Sequence, residues 1–421
     1  MQNIQNTSLP ENWAKRFFII WAGQAASLFG SSLVQFALVW YLTKESGSAS
    51  VLATASLLAL LPQIFLGPVA GALVDRFNRR LIIILADAAI MFATLGLIYL
   101  FATQRVEIWH IYAIMFIRGL GGAFHWPAMQ ASTSLMVPEE HLSRIAGMNQ
   151  TLQGAISIVA PPTGAILLET LSTQNVLFVD VGSALIAILP LFFIPIPQPV
   201  RGNGAKISDT HFLQDLKEGF RYVAAWKGLL VVILLSSVVN FLFSPIGSFM
   251  PLLVTKHFGG GAFQFGLMDS FWGGGVILGG VILSIWGGFK RKIATALMGL
   301  IGIGIGIVLV GIAPASAFNL ALGGMFLSGV MVAFTNGPIM AIVQSVVRPD
   351  MQGRVMALMS SAAMAMSPFG LIVAAPIADH LGIRTWYWLS GSLALLIGIG
   401  AFFVPVLMNI ENNSNGEEVP A

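Results

Sequence analysis

LGPVAGALVDRFNRR at residues 66–80 and LGGVILSIWGGFKRK at residues 278–292 are two versions of one segment, 212 positions apart. Each is a glycine-bearing apolar run that ends in a cluster of bases. Other pairs keep a similar spacing. Ala123, Phe124, Pro138 and Arg144 are answered by Ala333, Phe334, Pro349 and Arg354, and PPTGA at 161–165 is echoed by SPFGL at 367–371. The chain therefore reads as a duplication.

Composition says what is duplicated. Of 421 residues, 56% are hydrophobic and only 9% are charged, against about 25% charged in soluble domains. Forty-five glycines are spread along the apolar runs, as in membrane helices whose backbones approach closely. A span needs about 20 apolar residues, and the runs predict helices near 17–42, 50–74, 80–102, 108–136, 143–169 and 174–198. A second set follows at 227–255, 263–287, 292–313, 317–347, 353–378 and 384–408. Their apolar character is continuous, so they are not strands. The expected fold is an all-α membrane protein of twelve transmembrane helices in two pseudo-symmetric six-helix bundles.

The expected domains are an N-terminal bundle with a short polar tail (1–198), a cytoplasmic linker (199–226), a C-terminal bundle (227–408) and a polar tail (409–421). Within the linker, Phe212, Leu216, Phe220 and Val223 have the spacing of an interfacial amphipathic helix over 209–225. The first apolar run is too long for a signal-peptide core. With the N-terminus inside, sixteen Lys and Arg fall in inner loops and four (Lys44, Arg105, Lys256, Arg384) outside. The positive-inside rule then places both termini in the cytoplasm of a cell-membrane protein. A parallel six-plus-six repeat has its axis along the membrane normal, and secondary transporters built so bind substrate near the midplane. Channels can be duplicated too, but twelve helices with a long central loop favour a transporter.

GALVDRFNRR (71–80) falls in an inner loop. Gly71 would let helices pack closely. Asp75 beside Arg76, Arg79 and Arg80 is either a positive-inside anchor with a helix cap or a conformational latch opposing another helix's N-terminus. Asn78 is expected to tolerate a left-handed backbone. The second copy has Gly287 in place of the acid and keeps Lys290, Arg291 and Lys292.

Charges inside membrane helices are costly, about 3 kcal/mol on insertion scales, so each is a candidate. Arg118 on the fourth helix needs a carboxylate or several carbonyls, and Asp87 on the third helix is the nearest acid in sequence. The pair would be either structural or part of proton transfer. Asp269, among Phe271, Trp272 and three glycines, is the first choice for a proton carrier, because burial disfavours its charged form. Asp180 ranks lower, since it could anchor an end of the sixth helix. His125 is either a titrating group or a packing residue. Pro161, Pro162 and Gly164 predict a kinked, closely packed fifth helix. Gln24, Gln35, Gln63, Trp126, Gln150, Gln153, Asn240 and Phe243 are the candidates for lining a substrate cavity. Met356, Met359, Met364 and Met366 could offer an adaptable apolar surface or simply pack.

The Gly-x-x-x-Asp-Arg-x-x-Arg-Arg pattern resembles the signature of the major facilitator superfamily, with Asn78 where Gly is usual. The resemblance implies that Arg118 takes part in proton transfer and that APPTGA (160–165) corresponds to an antiporter motif, with alanine for two of its glycines. More narrowly, IWAGQAASLFGSSLVQFALVWYLT (20–43), FIRGLGGAFHWPAM (116–129), MVPEEHLSRIAG (136–147), FVDVGSA (178–184) and WYWLSGSL (386–393) look like Mef-type macrolide efflux pumps of the drug:proton antiporter branch. That implies proton-driven efflux of macrolides or related amphiphiles, and an acid at the place of Asp269.

The partners expected are a small amphipathic substrate, protons and the bilayer, with no nucleic acid, and the protein is expected to be a monomer. There is no phosphate-binding loop and no HExxH, and no cysteine for disulfides or thiolate metal sites, so no enzyme, cofactor or metal is expected. Rival readings keep the fold and change the cargo to a siderophore or lysolipid, or replace transport by a receptor or scaffold role.

Overall fold

A computed structural model describes residues 12–198, 220–224, 226–348 and 351–411, apart from the side chains of Pro68, Val69, Ala72 and Asp75. The latch acid Asp75, most of the 199–226 linker and the end of the tail thus lie outside the described residues. Everything regular in them is helical. Six long helices come first: α1 (Trp13–Ser46), α2 (Ala49–Arg76), α3 (Arg79–Ala102), α4 (Ile108–Met136), α5 (Glu139–Thr170) and α6 (Thr173–Phe193). Six more follow: α7 (Lys227–Leu252), which continues as a π-helix (Leu253–His257), α8 (Ala262–Trp286), α9 (Lys292–Ile312), α10 (Phe318–Val346), α11 (Gln352–Leu381) and α12 (Ile383–Ala401). A short α13 (Pro405–Met408) closes the series. Ten are long and apolar enough to cross a membrane. The other two long helices, α4 and α12, are not among them.

Helices suit this composition because each satisfies its own backbone where no water can. Their ends are set locally. Asn78 is extended (φ −65°, ψ 111°) and its side chain accepts the Leu81 N–H, so it caps α3. Ser172 caps α6 through the Asn175 N–H. Gly287 (φ 76°) ends α8 in the left-handed region that favours glycine.

Two compact units emerge. The first holds α1 to Leu42 and α2 from Ala55 onward, through α6; the second holds α7 to α13 together with Thr43–Thr54. The turn between α1 and α2 thus goes with the second unit. There Asp379, near the end of α11, accepts the N–H groups of Ala49 (2.7 Å) and Ser50 (3.0 Å) and the hydroxyls of Ser50 (2.6 Å) and Ser48 (3.1 Å).

In the first unit α3 packs on α4 and α6, over a core that includes Phe17, Val74, Ile83, Ala128, Met136 and Leu191. Gly119 brings α4 so close to α2 that a Cβ there would collide with the Ala59 carbonyl, and Gly30 does the same for α1 against Ser183 of α6. At Gly71, by contrast, a Cβ would meet nothing within 4 Å among the described residues. α5 runs as one helix through Pro161 and Pro162, and Gly164 lies against the Phe36 ring. In the second unit α9 packs on α10 and α12, and α7 on α11. Trp386 Nε1 and Tyr387 Oη donate to the carbonyls of Leu242 and Ile246, tying α12 to α7. Glu411 accepts the Ile293 N–H at the start of α9.

Candidate functional site

Three helices of the first unit carry polar residues seven apart: Gln24 and Ser31 on α1, Asp87 and Thr94 on α3, and Arg118 and His125 on α4. Seven residues are nearly two turns, about 10 Å along a helix. These side chains meet in two layers, and α4 contributes in the opposite order because it runs antiparallel to the other two.

One layer is an ion pair. Arg118 Nη1 lies 2.7 Å from Asp180 Oδ2, both groups being buried. Asp180 also accepts from the hydroxyls of Ser31 and Thr94, each at 2.9 Å, and Arg118 Nη2 donates to the Ser31 carbonyl at 2.8 Å. The acid paired with Arg118 is thus Asp180 and not Asp87. Sequence proximity favoured the adjacent helix; the helix faces decide otherwise.

The other layer is left to Asp87. Gln24 Nε2 donates to Asp87 Oδ2 at 3.1 Å, Gln24 Oε1 is 2.8 Å from His125 Nε2, and that nitrogen is 3.4 Å from Asp87 Oδ1. An ionised carboxylate only accepts, so the Gln24 amide must turn its nitrogen to Asp87. Its oxygen then faces His125, so Nε2 carries a hydrogen and Nδ1 is the ring atom open to a second proton. Acid, amide and imidazole in contact form a group that can hold one proton in more than one place.

A cavity of about 310 Å³ adjoins both layers, with Gln35 and Gln63 on its wall beside Asp87, Arg118 and His125. A smaller one of about 40 Å³ is lined by Trp126 and Gln153, and shares Gln24, Leu28 and His125 with the first. Gln150 is exposed on α5 and lines neither. In the second unit, Asn240 donates to the Ser236 carbonyl of its own helix and Phe243 is half-buried. Met356 and Met359 pack against a core cluster, whereas Met364 is exposed.

The repeat is chemically uneven. An offset of 210 aligns Ile108 with Phe318 and Thr173 with Ile383, the starts of matching helices. It sets Ser328 at the place of Arg118 and Ser390 at the place of Asp180. Both serines are buried, and each bonds to a carbonyl of its own helix. The second unit's own intramembrane acid, Asp269, is half-buried on α8 and has no hydrogen-bond or ion-pair partner among the described residues. Arg79 is buried and donates to the Ala131 carbonyl, and Arg80 donates to the Phe192 carbonyl. Both therefore bind near C-terminal helix ends of their own unit, where the dipole favours cations.

Sequence reasoning missed Ser31 and Thr94. The signal was available in the seven-residue polar spacing on three helices. The Asp379 cap had no such signal.

An all-helical, duplicated membrane protein with a buried ionic network beside a cavity defines the class of multi-pass transporters. The Major Facilitator Superfamily model matches residues 20–370 and 241–418, and the chain belongs to that superfamily of transporters. It is 34% identical over 388 residues to the macrolide efflux protein A of Streptococcus pyogenes, covering 92% of this chain and 95% of that one. The Enterococcus faecalis protein of the same description is 32% identical, over 77% of this chain and all of its own length. The multidrug efflux pump Tap of Mycolicibacterium fortuitum is 25% identical over 91% of this chain and 94% of its own. Among solved structures, a bacterial homologue of the lysosomal transporter Spinster superposes with a TM-score of 0.74 at 13% identity, over 97% of this chain and 100% of that one. A D-xylose–proton symporter gives 0.68 at 16%, over 93% and 98%.

Proposed function

We propose that the protein is a proton-coupled exporter of macrolide-like or other amphipathic compounds, working by alternating access in the cell membrane with both termini in the cytoplasm. The cargo class rests on the two macrolide efflux relatives and the multidrug pump. The observation that carries the coupling is the Gln24–Asp87–His125 layer, a proton-holding group beside a cavity, next to an arginine already committed to Asp180. The cavity lies at the lower end of the about 300–1,000 Å³ of small-molecule sites. In this reading one proton moves between Asp87 and His125 as cargo enters or leaves, while Arg118–Asp180 holds the helices in place. Asp269 is the second candidate carrier, and Gly71, Asp75 and Arg76 form a latch that releases during the cycle.

The test is accumulation of labelled erythromycin in cells with and without the protein, each with and without an uncoupler. Lower accumulation only in energised cells carrying the protein is the expected result, and equal accumulation in all four rejects this cargo. Asp87→Asn should abolish gradient-driven efflux. If it keeps full efflux while Asp269→Asn loses it, the carrier is the second-unit acid.

A further inference from the structure

α9 begins at Lys292, and its other end, Gly311–Ile312, borders a cavity of about 630 Å³ in the second unit. Three bases line it: Lys256, His257 and Arg384. So does one acid, Asp379, but its carboxylate is already taken up by four donors from Ser48, Ala49 and Ser50. It caps α2 and pairs with none of the bases, so Lys256 and Arg384 together outnumber it by one positive charge. Lys256 has no hydrogen-bond or ion-pair partner among the described residues. Arg384 uses Nε on the Gly311 carbonyl (2.9 Å), which fixes the guanidinium and leaves its terminal nitrogens unspent. His257 Nε2 rests 2.8 Å from the Ala313 carbonyl. Lys256 and His257 both stand on the π-helical turn Leu253–His257, a rare conformation that recurs at functional sites. The wall continues onto apolar helix surface through Ile312, Leu381 and Trp388, all exposed.

We propose that this cavity binds the phosphate headgroup of an anionic lipid, with an acyl chain running along Ile312, Leu381 and Trp388. A phosphate suits the donor set: the fixed Arg384 offers a planar fork and Lys256 a point charge. A basic pocket between membrane helices suits such a headgroup, here at the outer side where Lys256 and Arg384 fall, and tryptophan favours the membrane interface. A free oxoanion would leave the apolar wall unused. The inference does not depend on the cargo.

The experiment titrates protein purified in a neutral detergent with phosphatidylglycerol, phosphatidylcholine or inorganic phosphate, read by thermal shift and by lipid retained in native mass spectrometry. Lys256→Gln is the variant to read first, because Lys256 makes no bond to lose; Arg384→Gln is the second. Phosphatidylglycerol should bind, about fivefold more weakly after each loss of a base. Equal affinity in wild type and both variants overturns the proposal, as does phosphatidylcholine binding as well as phosphatidylglycerol. Inorganic phosphate binding as tightly as the lipid overturns the lipid assignment.

Discussion

Asp180→Asn should be among the most damaging single-atom changes in this chain. Asp180 and Arg118 are only 1% and 9% exposed, at 2.7 Å. That burial decides the magnitude, since an exposed pair is worth about 0–1 kcal/mol whereas removing one partner of a buried pair costs about 3–5 kcal/mol. The amide keeps the volume but turns a neutral group toward a guanidinium whose other bond is to the Ser31 carbonyl. Replacing both partners, Arg118→Met with Asp180→Val, removes the stranded charge. Ser31 and Thr94 then lose an acceptor at about 1 kcal/mol each, which own-helix carbonyls partly restore. The double variant should therefore cost less than either single one, at about 2 kcal/mol. Unfolding in mixed micelles by added SDS, followed by tryptophan fluorescence, gives all three values. A cost below about 1 kcal/mol for Asp180→Asn, or a double variant equal to the sum of the singles, would refute the reasoning.

Other outcomes can be checked separately. His125→Phe should lose gradient-driven efflux yet keep downhill exchange of cargo in proteoliposomes, because it removes the second proton-holding atom and not the cavity; loss of both would count against a coupling role. Asp379→Ala should cost about 0.5–2 kcal/mol, the value of a helix cap, seen as faster amide exchange confined to Ala49 and Ser50. Gly119→Ala should cost about 1–3 kcal/mol by overpacking against the Ala59 carbonyl, whereas Gly71→Ala should leave the melting temperature unchanged.

The helices were legible because lipid demands continuous apolar runs, and α4 falls at the expected 108–136. The duplication was legible because its two base clusters survive. Which acid meets Arg118 was not, because it depends on helix faces: Asp180 is 62 residues away and Asp87 only 31, yet the bond goes to Asp180. The cap that Asn78 makes was not read from the sequence, though it has a local reason. A side-chain oxygen that can cap a helix makes extended backbone preferable to the left-handed form. The Asp379 cap joins residues 329 to 331 apart through no shared pattern.

That cap also has a consequence for how the chain is made. Ser50 leaves the ribosome 329 residues before Asp379, an interval of about 16–65 s at about 5–20 residues per second. Throughout it the Ala49 and Ser50 N–H groups are without this acceptor. The hairpin that opens the sequence is therefore among the last parts to be completed, and any chain truncated before the end of α11 carries it unfinished.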